Sequence, residues 1–228
     1  MIDTCRRIIL VKIPKTASSS LLDALLEPLG RSLEDVPRPP IINVNLVANF
    51  AISARFRVPG RPKRYNGWHV SARDCKRYLG DDFDGYQSVT VVRNPFDRIV
   101  SNFEFQRGKQ RSVGTFDEFV RGVCHDLESM HPQVQLHAIP QVEWITDRRG
   151  AVLVDSILRY ERLDSDFERW CADVGLEAIP LGDRNRSSRR PTPEYFTRSE
   201  TIERVLDYYT RDFVRLGYST DPTVDAGG

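Results

Sequence analysis

Two short segments of this chain carry side chains whose types and spacing suit anion chemistry. The first is Pro14-Lys15-Thr16-Ala17-Ser18-Ser19-Ser20. It joins a short apolar run to a helical pattern. Such a junction presents unpaired backbone N–H groups and the positive end of a helix dipole. Lys15 adds a point charge, and Thr16, Ser18, Ser19 and Ser20 add hydroxyls. The sum is a cradle of the size and charge of a phosphate. The segment contains no glycine, so it is neither a Walker A loop nor a dinucleotide fingerprint. The second segment runs from Val92 to Ser101, reading Val-Arg-Asn-Pro-Phe-Asp-Arg-Ile-Val-Ser. Arg93 stands at the end of a strand pattern. Ser101 lies about two helical turns beyond Asn94 and so shares its side of the helix. An arginine and a hydroxyl converging on one point suit a second phosphate. Each segment alone has a plainer reading: a serine-rich helix cap, or an arginine paired with a nearby carboxylate.

Other residues join these two. His69 is a candidate proton acceptor, since histidine titrates near neutral pH. His137 is a second histidine candidate, for substrate contact. Lys12 precedes Pro14 by two residues and is placed to meet an anionic ligand, or else points to the other face of its strand. Arg186 lies in a basic loop with Arg184, Arg189 and Arg190, a candidate contact for an anionic ligand and equally a solvated loop.

The elements that must position these residues follow from periodicity. Ile8–Ile13 is short, β-branched and apolar, which suits a buried strand. Leu21, Leu22, Leu25, Leu26 and Leu29 mark one face of a helix. Ser20 and Asp23 have the spacing of a capping box at its start, and Gly30 stands at its C-cap. Ser88–Val92 is a second strand. Asn94 caps the helix after it, with Pro95 at the first position. Thr115 to Glu118 is a further capping box. A strand is expected at 151–154 or 156–160, then a helix from Leu163 to Gly175. A last long helix is expected from near Thr197 to Gly217. Strand, loop and helix in alternation give an α/β fold: a P-loop-like three-layer α/β/α arrangement with a central, mostly parallel sheet, in one domain over residues 1–228. Ligands in such folds sit at the carboxyl ends of the strands, which is where both segments fall.

Taken together the two segments resemble the two phosphate-binding signatures of sulfotransferases. Val11-Lys12-Ile13-Pro14-Lys15-Thr16-Ala17-Ser18-Ser19-Ser20 is similar to the version found in heparan sulfate 2-O-sulfotransferases. The form of both is nearest the Golgi-type carbohydrate sulfotransferases and their bacterial relatives in sulfotransferase family 2. Blocks at 137–141, 157–163 and 208–218 resemble later family blocks. Lys12 departs from the pattern, standing where many relatives carry histidine. The resemblance implies 3′-phosphoadenosine 5′-phosphosulfate (PAPS) as donor and PAP as product, with no metal. It implies that Lys15 to Ser20 hold the 5′-phosphosulfate and that Arg93 and Ser101 hold the 3′-phosphate. It implies in-line transfer to a hydroxyl of a carbohydrate. Lys15 then stabilises the leaving oxygen. His69 is the base, because Gly67-Trp68-His69-Val70 resembles the segment that supplies a catalytic histidine.

Composition narrows the field. The chain has 228 residues, 40% apolar and 29% charged, with a net charge of +1. Thirty-three basic against thirty-two acidic residues is no balance for a duplex-DNA binder. No apolar run reaches the ~20 residues of a membrane span, and the N-terminus has no secretory signal core. The four cysteines are scattered without a metal-type or disulfide-framework spacing. The expectation is a cytoplasmic protein as the sequence stands, or a Golgi-lumenal one if it is a piece of a longer chain. Residues 36–73 hold seven basic residues, Arg38 to Arg73, and no acid, a positive stretch that suggests an acidic glycan as acceptor. Two other readings stay open: a nucleotide-dependent kinase of similar architecture, and a non-catalytic binder of anionic polymers.

Overall fold

The structure, a computed structural model, describes residues 1–29, 69–181 and 189–224. In chain order its strands and helices are β1 (Ile2–Asp3), β2 (Ile8–Val11), α1 (Ser18–Leu26), α2 (Ala72–Leu79), β3 (Gln87–Val92), α3 (Pro95–Gly108), α4 (Phe116–His125), α5 (Pro132–Ala138), α6 (Val142–Ile145), β4 (Ser156–Arg159), α7 (Leu163–Asp173), α8 (Ser199–Tyr208) and α9 (Thr210–Leu216). The chain divides into two compact units. One comprises Met1–Val92 and Glu143–Asn185, the other Arg93–Val142 and Arg186–Gly228.

The first unit holds the sheet, in the order β1-β2-β3-β4. β2, β3 and β4 are parallel, with Val11 opposite Thr90 and Val92 opposite Arg159; only the two-residue β1 runs antiparallel. All of β2 and all but the first residue of β3 are buried. Consecutive buried residues in a strand mean that both faces of the sheet are covered, as parallel sheets require. One face is covered by α1 and α7: Leu21, Leu22 and Leu25 of the former and Phe167 and Trp170 of the latter pack with Ile8, Leu10, Val89, Val91 and Leu158. The expected α/β fold with a central, mostly parallel sheet is therefore what the chain adopts.

The second unit is helical. Asn94 caps α3 as its sequence predicts, its side chain accepting from the Phe96 N–H at 2.9 Å, with Pro95 at the first position. Thr115 and Glu118 complete the expected capping box of α4. The core is aromatic: Phe96 meets Phe196 and Phe213 at ring separations of 4.9 and 5.0 Å, and Phe103 lies 5.4 Å from both Phe116 and Phe119.

Several element boundaries differ from expectation; β2 ends at Val11, short of Ile13. α1 starts at Ser18, not after Ser20, and its cap is Ala17 in the left-handed region without a side-chain hydrogen bond. The single helix expected from Thr197 to Gly217 is two helices, parted at Tyr209. At the junction the Thr210 hydroxyl donates to the carbonyls of Leu206 and Asp207 at 2.7 and 2.8 Å, the back-bonding that bends helices. Gly217 closes α9 in the left-handed conformation as expected. Gly30 lies outside the described residues.

Candidate functional site

β2 and β3 are hydrogen-bonded parallel neighbours, so their carboxyl ends lie at one edge of the sheet. The Lys12–Ala17 segment leaves the end of β2, and Arg93 is the residue that follows β3.

The first loop is closed from within. The hydroxyls of Thr16 and Ser18 both donate to the carbonyl of Ile13, at 3.0 and 2.9 Å. Two of the four hydroxyls therefore shape the loop. Lys15 and Ala17 have φ of 67° and 61°. Left-handed backbone at non-glycine residues is disfavoured, by roughly 1–2 kcal/mol each, and strain of this kind collects at ligand-binding turns. Its product is a run of amides: the N–H groups of Thr16, Ala17, Ser18 and Ser19 meet no acceptor among the described residues. Unbonded amides in alternating conformation at a helix start are the donor set that a phosphate or sulfate oxygen needs. The loop fits an anionic group on that ground. Lys15 and Ser19 are half-buried, and Ser20 is buried in the first turn.

His69 is brought to this loop. Its Nδ1 lies 2.9 Å from the carbonyl oxygen of Lys12, and its ring meets Trp144 edge-on at 6.0 Å. A carbonyl only accepts, so Nδ1 carries the proton and Nε2 keeps the lone pair when the ring is neutral. The side chain of Lys12 is 5% exposed. Burial lowers its pKa to about 8, against the opposing pull of Asp23 on α1.

That shift sets the sign of a stability effect. Between about pH 8 and 10.5 the unfolded chain binds a proton at Lys12 that the folded chain does not, so folding gains stability as pH rises through this window. The cost is fully present below pH 8. Lys12→Met is expected to raise the melting temperature at pH 7, by the equivalent of roughly 1–3 kcal/mol, with the gain shrinking toward pH 10. Melting curves of both proteins across that range check it. A gain that does not change with pH would show that the buried charge is not its source.

In the second unit Arg93 is buried and its Nε donates to Oδ2 of Asp97 at 2.5 Å. The same carboxylate receives Nη2 of Arg189 and the hydroxyl of Thr192. Burial pushes the Asp97 carboxyl up, but Arg93, Arg189 and Thr192 together hold it below its ordinary value. The arginine–carboxylate pair that the sequence left open is thus present. The backbone of Arg93 is held as well: its N–H donates to Oε1 of Gln141 and its carbonyl accepts from Nε2 of Gln141, both at 2.8 Å. Asp212 of α9 accepts from the N–H groups of Gln141 and Val142, at 2.8 and 3.0 Å. Arg98, also buried, donates from Nη2 to the carbonyls of His137 and Ile139, each at 2.9 Å. Ser101 is half-buried on α3. His137 is interior, its Nδ1 3.2 Å from Oδ1 of Asn102 and its ring 5.3 Å from Phe105. Arg186 and Arg184 lie outside the described residues, as does all of the basic stretch before His69. Among the described residues no three His, Cys, Asp or Glu side chains group as metal ligands do. No helix among them is long and apolar enough to cross a membrane.

Asp97, Gln141, Asp212 and Arg98 are the participants that sequence reasoning did not single out. Asp97 carried a signal, four residues beyond Arg93 in the first turn of a helix. Gln141 and Asp212 carried no local signal beyond their place in the 137–141 and 208–218 blocks, because their partners are 48 and 71 residues away.

A mostly parallel sheet whose carboxyl edge runs into a helix start, with amides that meet no acceptor among the described residues, is a frame suited to anionic groups. This chain belongs to the Sulfotransferase family, whose sequence profile matches residues 1–219, and it is accordingly an enzyme of sulfuryl transfer. Its fold is similar to that of a sulfotransferase from Alicyclobacillus acidocaldarius, with a TM-score of 0.52 and 18% identity over 92% of this chain and 93% of that one. Comparison with curated proteins returns no match.

Proposed function

We propose that the protein is a PAPS-dependent O-sulfotransferase acting on a hydroxyl of a carbohydrate, with an acidic glycan as the favoured acceptor. In this reading the amides of Thr16 to Ser19, with Lys15 and Ser20, hold the 5′-phosphosulfate. Arg93 and Ser101 hold the 3′-phosphate. PAPS supplies an activated sulfuryl group. The acceptor oxygen forms a bond to sulfur as the bond from sulfur to the phosphate oxygen breaks. His69 takes the acceptor's proton at Nε2, and Lys15 meets the negative charge left on the phosphate oxygen.

The observation that carries the reading is the 2.9 Å contact between His69 Nδ1 and the Lys12 carbonyl. It supports a base of defined tautomer held against Lys12, the residue three positions before Lys15. The acidic acceptor rests on the basic residues of the 36–73 stretch.

Intact-mass analysis of uronic-acid-containing and neutral oligosaccharides incubated with PAPS tests the proposal. The expected result is addition of one sulfo group and release of PAP, with the acidic acceptors preferred. Stabilisation by ATP with magnesium but not by PAP, together with no sulfated product, would replace this reading with a phosphotransferase.

A further inference from the structure

We infer that Gln141, held by Asp212, is a positioning residue for the turn that carries Arg93, so that preference for a 3′-phosphorylated nucleotide is set in part from α9. The inference rests on the reading of Arg93 as a 3′-phosphate ligand.

Arg93 lies one residue past the last ladder pair of β3, Val92 opposite Arg159. A strand neighbour no longer serves its peptide groups there. The Gln141 carboxamide takes that place, offering an acceptor and a donor to the N–H and C=O of one residue, as a neighbouring strand would. A carboxamide is the uncharged side-chain group that presents both at this spacing. Gln141 is fully buried, and so is Asp212. The Asp212 carboxylate fixes the backbone from which Gln141 extends, through two N–H groups, and also lies 3.4 Å from the Gln141 amide nitrogen. The side chain of Arg93 is turned by Asp97, but the direction from which it starts is set by this peptide. A shift of the peptide moves the guanidinium without removing it.

Sequence logic agrees. A buried Gln costs desolvation unless every polar atom is met, and here each is. A core that needed only volume at this place would be served by Leu or Met.

The test compares two probes, PAP and adenosine 5′-phosphate, which differ by the 3′-phosphate alone. Affinities are measured calorimetrically for the full chain, for Gln141→Met, for Arg93→Ala and for the double variant. The expected result for Gln141→Met is a loss of about tenfold or more in PAP affinity with adenosine 5′-phosphate unchanged. The double variant is expected to bind PAP no worse than Arg93→Ala alone, since the two act through one group. If Gln141→Met weakens both probes equally, Gln141 is only a structural residue and the inference fails. If Arg93→Ala leaves the ratio of the two affinities unchanged, the 3′-phosphate reading itself fails, and the inference with it. Should Gln141→Met not fold, Asp212→Asn serves: it keeps one acceptor of two, and a smaller loss confined to PAP is expected. An equal loss for both probes there overturns the inference as well.

Discussion

His69→Ala is expected to lower kcat by roughly 10²–10⁴, the usual worth of a positioned general base, while leaving PAP affinity unchanged. The argument is one of proton inventory. Neutral imidazole carries a single N–H, and the Lys12 carbonyl 2.9 Å away claims it at Nδ1. Nε2 is then the basic nitrogen. The Trp144 ring, edge-on at 6.0 Å, limits the imidazole's rotation and so preserves that assignment. The donor nucleotide makes no demand on a base, so loss of the ring is expected in the turnover of a saturated enzyme, not in binding. Steady-state kinetics with both substrates varied, together with calorimetric PAP binding, separates the two. A variant that keeps the wild-type kcat would remove His69 from the mechanism, and one that loses PAP affinity in proportion would make it a nucleotide contact.

The sequence was most legible where short-range physics decides. Ile8–Ile13 and Ser88–Val92 read as strands because β-branched apolar runs have few other fates, and Ile8–Val11 and Ser88–Val92 are buried in the parallel sheet. Asn94 before Pro95 and Thr115 before Glu118 are caps whose partners lie within three residues, and both form as written. The start of α1 was misread for a related reason. Ser20 and Asp23 have box spacing, but a helix begins where its preceding loop releases it. Thr16 and Ser18, donating to Ile13, close that loop two residues earlier. The left-handed turns at Lys15 and Ala17 were hidden because no glycine marks them. The break at Tyr209 was hidden because an apolar stripe runs through it. There Tyr209 is drawn into the core, its hydroxyl donating to the Ala138 carbonyl at 3.0 Å. For the candidate site, the residues that would touch a ligand were legible as motifs. The residues that hold the motifs in place were not, since Gln141 and Asp212 reach Arg93 only through the tertiary fold.

Lys15→Ala and Arg93→Ala should both weaken PAP binding, yet differ in where their cost falls on the reaction. Lys15 stands at the end where, in the proposed reaction, charge grows as the sulfuryl group departs. An interaction that strengthens toward the transition state appears in kcat. Loss of one such electrostatic contact costs about 10²–10³ in kcat, and Lys15→Ala is expected to fall in that range. The substitution leaves the loop itself in place, because the Thr16 and Ser18 hydroxyls close it and alanine meets the same left-handed φ of 67° that lysine does. In the proposed reaction Arg93 serves the 3′-phosphate, whose charge is the same before and after transfer. Its removal therefore subtracts uniform binding, raising KM for PAPS with kcat largely kept. Asp97 retains Arg189 and Thr192 in that variant, so its carboxylate is not left bare. Steady-state rates at saturating acceptor, with PAPS varied, resolve the two patterns. If both variants bind PAP as the wild type does, neither residue contacts the nucleotide. If Arg93→Ala loses kcat and Lys15→Ala only KM, the nucleotide lies the other way round.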